Sequence, residues 1–386
     1  MGSTMEHNDI LVIGIGGAGG RLVDALAARA PEAVRTAMID TDAAALAASQ
    51  AVSKLQIGSH VTNGQGTGGD AGLARRAATD DAEIIRGLFS DARLVVVLAG
   101  LGGGTGSAVT PEVIKAAGLS GTPTLCVATQ PFSFEGAPRA ALARAAVPEI
   151  REAADGLILI PNDKLFKSVG SDKVNEAFPA ADAALGMSVW SLWQILTRPG
   201  YLNAGPADLA QVTKPERGIA SLAWAEAHGR KRGASAVKQL LTHPMLDGGA
   251  ALGECRSIMV SIVGGEDLTL KDLGDIMAPI KAACHERVVI TLGTSIDPEW
   301  KARLLLTLIA ARPGGWSGGV EMRPAKAQEP TDLPITENPA VVGRGGVQTT
   351  LQLEPAGRGR FANTDPTLLD GEDLDIPTYQ RRGIKL

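Results

Sequence analysis

Aromatic side chains are scarce in this chain: Phe, Tyr and Trp make up 3% of its 386 residues. Alanine is abundant instead, and there are 47 glycines. Small side chains let helices lie close on a sheet, so the composition favours α/β packing, and the length allows two domains. Cysteine is nearly missing too. Cys126, Cys255 and Cys284 show no CxxC spacing, which argues against a zinc ribbon and a disulfide framework. Cys255 and Cys284 read as buried small residues. The five histidines are scattered, and no metal-ligating set is expected. No apolar run reaches 18 residues and no signal peptide is visible, so direct membrane insertion is not expected and a reducing cytoplasm is. An excess of one charge is also lacking. The net charge of −5 gives no reason to expect a nucleic-acid or anionic-membrane partner.

What the chain does have is glycine in loops. Leu94 to Ala99 is a short apolar run that reads as a strand. Gly100-Leu101-Gly102-Gly103-Gly104-Thr105-Gly106-Ser107 follows, and a helix is expected from Ala108 to Ala117, with Pro111 in its first turn and Gly118 as its stop. Glycines let backbone approach a ligand closely. Successive N–H groups can then face one concavity, and the helix N-terminus adds about half a positive charge. Thr105 and Ser107 offer hydroxyls to phosphate oxygens. This is a phosphate cradle, but no Gly-Lys-Ser/Thr follows, so it is not a P-loop.

Two more such units precede it. Ile10 to Ile15 reads as a buried strand, then Gly14-Ile15-Gly16-Gly17-Ala18-Gly19-Gly20, then a helix from Arg21 to Ala30 ended by Pro31. On this segment alone a dinucleotide-binding oxidoreductase is the favoured reading, because Asp40, after Thr36 to Ile39, stands near the spacing of a ribose-binding acid. The loop Gly64-Gln65-Gly66-Thr67-Gly68-Gly69-Asp70, followed by a helix from Ala71 to Thr79, weighs against it. A Rossmann fold needs one phosphate loop, whereas three suit a triphosphate. No catalytic His or Cys stands near the loops to support the oxidoreductase.

The Gly-Gly-Gly-Thr-Gly-Ser run resembles the signature loop of the tubulin/FtsZ family. The likeness extends over residues 10–311 and the C-terminal tail. Thr41-Asp42-Ala43 is similar to the family's Asn-Thr-Asp-Ala, and Gln56-Ile57-Gly58 with the Gly64–Gly69 loop resembles its phosphate-end loop. Pro131-Phe132-Ser133-Phe134-Glu135-Gly136-Ala137-Pro138-Arg139 resembles Pro-Phe-x-Phe-Glu-Gly-x-x-Arg, and Pro161-Asn162-Asp163 closes a strand as the family's nucleoside loop does. The resemblance implies a Rossmann-like GTP-binding domain joined by a central helix to a smaller α+β domain. It implies GTP/GDP and Mg²⁺ as ligands, held by Gly16, Gly17, Gly19, Gly20, Arg21, Gly68, Gly69, Gly102, Gly103, Gly104, Thr105, Gly106 and Ser107. Glu135 would meet the ribose, Arg139 the phosphate end and Asn162 the nucleoside. Phe178 would stack on guanine while Asp182 accepts from its N1–H and exocyclic amine. Arg21 departs from the family, which has Asn there.

The helix opened by Ala177-Phe178-Pro179 is expected to run to about Thr197, with Leu185, Val189, Leu192 and Leu196 on its buried face. Beyond it, Asn203 and Asp208 match two members of the family's Pro-Gly-x-x-Asn-x-Asp-x-x-Asp loop, whose acidic residues act in the neighbouring subunit's pocket; Gly205 stands at the first aspartate. The expectation is therefore a GTPase that polymerises head to tail for bacterial cell division, with slow hydrolysis; a non-hydrolysing filament or regulatory protein is the alternative. Gly229 and Arg230 stand at the family's Gly-x-x-Arg turn. The expected segments are a disordered N-terminus (1–9), GTP-binding domain (10–176), central helix (177–200), GTPase-activating domain (201–312), flexible linker (313–368) and partner-binding tail (369–386). The linker, as a coil, would span roughly 40 Å. Residues 373–382, similar to the family's Leu-Asp-Ile-Pro-x-Phe-x-Arg, would bind a membrane-tethering adaptor at the division site.

Overall fold

The computed structural model describes residues 9–29, 34–169, 174–198, 201–202, 204–214, 219–313, 368–369 and 372–373. Its centre is a ten-stranded sheet. Six strands lead: β1 (Ile10–Ile15), β2 (Arg35–Asp40), β3 (Ser53–Gln56), β4 (Leu94–Gly100), β5 (Thr124–Gln130) and β6 (Gly156–Pro161). They lie in the order β3-β2-β1-β4-β5-β6, all parallel. Helices fill the crossovers: α1 (Gly16–Arg29), α2 (Ala43–Ala48), α3 (Ser59–Thr62), α4 (Ala71–Asp80), α5 (Ala82–Gly87), α6 (Gly104–Leu119) and α7 (Ala137–Ala153). Then come α8 (Asn162–Val169), α9 (Val174–Thr197) and α10 (Pro206–Thr213).

Alternate residues of a strand face opposite ways, and here both faces are covered. Ile10 and Val12 of β1 join one core with Val189, Leu192 and Leu196 of α9, while Leu11, Ile13 and Ile15 join a second with Val109 and Val113 of α6 and Val147 of α7. Continuous apolar strands are what a doubly covered parallel sheet requires. The expected buried face of the central helix is present, with Leu185 half-buried at its rim.

The second half extends the same sheet through β7 (Ile219–His228), α11 (Arg232–Leu241), β8 (Ser257–Gly264), α12 (Leu270–Ala283), β9 (Val289–Ile296) and β10 (Arg303–Arg312). The order continues β6-β7-β10-β8-β9. β10 runs antiparallel to β7 and β8. The join between the halves is narrow: among the described residues, β6 and β7 pair only at Ile158 and Ala220. A half-buried ion pair also spans it, Lys164 Nζ on α8 to Asp247 Oδ1 at 2.6 Å. Burial lowers the Lys164 pKa against the pull of that carboxylate. At the turn before α11, Arg232 rather than Arg230 is the buried arginine, bonded to Asp267 Oδ2 at 2.6 Å.

Three expected boundaries are corrected. α1 begins at Gly16, not Arg21, because its glycines are packing surfaces: a Cβ on Gly19 would stand 2.3 Å from the Leu98 carbonyl. α6 begins at Gly104, where the Gly103 carbonyl accepts from Ser107 N. Pro111 therefore sits mid-helix and Gly118 does not end it; the turn falls at Gly121, with φ +74°. α9 begins at Val174, before the Ala177-Phe178-Pro179 start. In residues 325–386, treated by themselves, Leu368–Leu369 pairs antiparallel with Glu372–Asp373. The rest of the linker and tail lies outside the described residues.

Candidate functional site

The C-terminal ends of β1, β2, β4 and β5 open into one cleft of about 950 Å³. That is where a doubly wound sheet places its ligand. All three glycine loops meet there. Gly16, Gly17 and Arg21 come from α1; Gly68 and Gly69 from the loop before α4; and Gly103, Gly104, Thr105 and Gly106 from the start of α6. The N-termini of α1 and α6 thus converge on the same space, and both favour anions. Gly68 and Gly69 have φ of +58° and +91°, a left-handed backbone that glycine adopts without strain.

The glycines divide into two kinds. A Cβ on Gly17 or Gly103 would meet nothing within 4 Å, so these face open cleft. On Gly106 it would meet the Gly100 carbonyl at 2.1 Å, and on Gly104 the Thr67 hydroxyl at 2.4 Å. These allow loops to touch each other. Gly19 and Gly20 lie beneath the wall rather than on it, against Leu98 and Met38. Gly102, with φ +103°, also lies off the cleft; its N–H donates to Ser107 Oγ at 2.8 Å. The Ser107 hydroxyl is buried in that bond and holds the loop, whereas Thr105 lines the cleft and shares a 3.0 Å hydrogen bond with Thr41.

Glu135, Arg139, Asn162 and Asp182 also line the cleft. Glu135 accepts from Phe132 N at 2.8 Å and from Arg139 Nη1 at 2.9 Å, an i,i+4 pair on the rim. Phe132 and Phe134 stack with ring centres 4.8 Å apart. Asn162 does not sit in a loop: β6 passes straight into α8 there. Its Oδ1 is buried without a hydrogen-bond partner. A buried orphan acceptor on a cleft wall is complementary to a donor on a ligand, such as a ribose hydroxyl. Phe178 lies on α9, its side chain outside the described part; Asn203 lies outside altogether.

Two acids at the end of β2 add to the site. Asp40 is buried at 3% exposure, and its Oδ1 accepts from Thr41 N and Asp42 N at 2.7 and 3.3 Å. Burial raises its pKa. A carboxylate bonded to its own turn is poorly placed for a dinucleotide ribose, which weighs against the oxidoreductase. Asp42 caps α2 through bonds from Ala44 N and Ala45 N and lines the cleft with Gln65. Its place before an alanine run is a legible capping signal, but sequence reasoning did not assign it to the site. Burial pushes the Cys126 and Cys255 thiols up to about 12, so they are not nucleophiles.

Asp208 lies elsewhere. It is on α10, where its Oδ2 accepts from Gly205 N at 3.0 Å. α10 packs around a 230 Å³ apolar cavity shared with Leu94, Thr124, Leu125 and Gly156, the N-terminal ends of β4, β5 and β6. With a rise of about 3.3 Å per residue, a strand as long as β4 puts roughly 20 Å between Asp208 and the cleft. One copy does not bring the two together.

Comparison with known proteins agrees with this architecture. The family description "Tubulin/FtsZ family, GTPase domain" matches residues 9–170, and "FtsZ family, C-terminal domain" matches residues 218–312. The cell division protein FtsZ of Pseudomonas putida is 33% identical over 388 residues, 97% of this chain and 96% of that protein. Its Coxiella burnetii counterpart is 33% identical over 99% of this chain and 98% of its own length. Among solved structures, an FtsZ dimer from M. jannaschii superposes with a TM-score of 0.71 at 32% identity, over 78% of this chain and 87% of that one. CetZ2 of Haloferax volcanii, solved as a GTPγS-bound protofilament, shares the fold at 22% identity with a TM-score of 0.67, over 80% of this chain and 93% of that one.

Proposed function

The chain belongs to the tubulin/FtsZ family and carries its GTPase domain, and from that premise we propose that copies of it bind GTP or GDP in the cleft and stack head to tail into filaments for bacterial cell division. The glycine loops hold the phosphates. Glu135 and Asn162 meet the ribose and nucleoside, Arg139 the phosphate end, and Phe178 and Asp182 the guanine. Mg²⁺ accompanies the triphosphate, held chiefly by phosphate oxygens and water; the described residues include no group of three or more His, Cys, Asp and Glu fit for a metal.

The observation that carries the proposal is the separation of Asp208 from the cleft along the sheet. A carboxylate at one end and a phosphate site at the other meet only when a second copy docks end to end. Such a heterologous contact repeats without closing. Asn203 and Asp208 of one copy then position water at the γ-phosphate of the next. Sedimentation of the full chain with GTP and Mg²⁺ tests this: pelleting above a critical concentration is expected, and a monomer across salt, pH and nucleotide refutes it.

Gly205 favours a second reading, a filament that turns over little GTP. Loss of one positioning group costs about two orders of magnitude in rate. A Cβ on Gly205 would meet nothing within 4 Å, so an aspartate fits. Gly205→Asp should raise phosphate release per subunit about a hundredfold; an unchanged rate clears Gly205 of the blame. Residues 10–176 form the GTP-binding part and 201–312 the activating part in this proposal. The 313–368 linker reaches to a tail whose 373–382 stretch docks a membrane-tethering adaptor at the division site. No described helix is long and apolar enough to cross a membrane.

A further inference from the structure

Arg21 puts a cation of α1 on the wall of the cleft, and its surroundings indicate what it does there. α1 and α9 touch at Ala25 and Gly186: a Cβ on Gly186 would stand 3.2 Å from that of Ala25. Arg21 is one turn before the contact on α1, and Asp182 one turn before it on α9. Both line the cleft, so the helices part towards it with one charged group on each wall. Between them lie Leu22, Ala25, Ala181 and Leu185, an apolar slot of the kind a planar base enters.

Among the described residues, no hydrogen bond or ion pair takes up the charge of Arg21 or Asp182. Asp24, the nearest acid along α1, accepts instead from Ser49 Oγ and Gln50 N at 2.8 and 2.7 Å. Arg21 also lies five residues into α1, about 7.5 Å along the axis from the N-terminus that faces the phosphates.

We infer that Arg21 selects guanine by donating to its O6 and N7, across the slot from the Asp182 carboxylate already assigned to N1–H and the 2-amino group. This rests on the GTP-binding reading and deepens it. A guanidinium fork matches the O6/N7 edge in two bonds, and adenine presents an N6–H₂ donor in place of O6. A carboxylate matches guanine's two donors, whereas adenine N1 is an acceptor. Each wall therefore accepts one edge of guanine and rejects the matching edge of adenine.

The experiment compares GDP with 7-deaza-GDP, which carries C–H in place of N7, by calorimetry on the full chain and on Arg21→Asn. The parent chain should bind 7-deaza-GDP about tenfold more weakly than GDP. Arg21→Asn should bind GDP about tenfold more weakly than the parent and bring the two ligands within twofold of each other. Arg21 is exposed, and a circular dichroism melt matching the parent confirms an intact fold. Equal affinity of the parent for both ligands overturns the inference and leaves the GTP-binding reading standing. So does an Arg21→Asn variant that loses both ligands equally, which puts the guanidinium on a phosphate. Failure of the parent to bind GDP overturns both.

Discussion

At the scale of single residues, the unpaired acceptor of Asn162 gives the most direct handle on the cleft. A buried polar atom without a partner costs about 1–3 kcal/mol. Asn162→Ala removes that atom, so the ligand-free chain should melt no lower than the parent, while GTP affinity falls about tenfold for one lost hydrogen bond. Calorimetry with and without nucleotide checks this, and a lower melting point with unchanged affinity contradicts it. His243 supplies a pH test. Burial lowers its pKa to about 4, and its Nδ1 accepts from Met245 N at 3.1 Å. The depressed pKa means that the unfolded chain takes up a proton near pH 6.5 which the folded chain refuses until about pH 4. Its contribution is whole above pH 6.5 and is lost as pH falls towards 4, by about 3 kcal/mol. His243→Asn keeps an acceptor for Met245 without the titration. Urea unfolding from pH 7 to 4.5 should show a shallower decline for the variant; parallel declines count against the assignment.

Strand, glycine loop and helix form the working element, and it shows what sequence could and could not convey. The three loops were legible because runs of glycine between an apolar strand and a helix have few other uses. The helix starts were not. Glycine is a poor helix former, by about 1 kcal/mol against alanine, so Gly16 to Gly20 and Gly104 to Ser107 read as loop, yet contacts with Leu98, Gly100 and Thr67 hold them helical or in tight approach. Nor could counting separate a glycine that faces a ligand from one that faces another strand. Gly103→Ala should fold with stability within about 0.5 kcal/mol of the parent, as expected away from tight packing, and lose nucleotide affinity. Gly106→Ala drives a methyl into the Gly100 carbonyl and should cost about 3 kcal/mol or more. Thermal melts paired with nucleotide titration separate the two. Ser107 is a similar case: a hydroxyl in a phosphate loop suggests a ligand contact, and only the Gly102 N–H beside it reveals a brace.

For the whole molecule, the decisive fact is the placement of Asp208 far from the cleft, which spacing along the chain does not encode because it depends on strand direction and on where α10 docks. It predicts complementation. A copy with a disabled cleft and a copy with Asp208→Ala should each release phosphate at background rate, and an equimolar mixture should recover activity up to about a quarter of the parent, the share of contacts joining two intact faces. A mixture as inactive as its parts would mean that each copy is catalytically self-contained. The identity of Arg21 was likewise visible from the start, but its meaning needed the neighbouring wall of α9.

The narrow join at Ile158 and Ala220 has a mechanical consequence. Elsewhere each strand is stitched to its neighbour along several rungs, so the sheet resists flexure; at this one place a single stitch among the described residues joins the two halves of the sheet. A load applied to either face gathers at that crease. The Lys164–Asp247 link then acts as a latch across it, two residues along the backbone from Asn162 at the rim of the cleft.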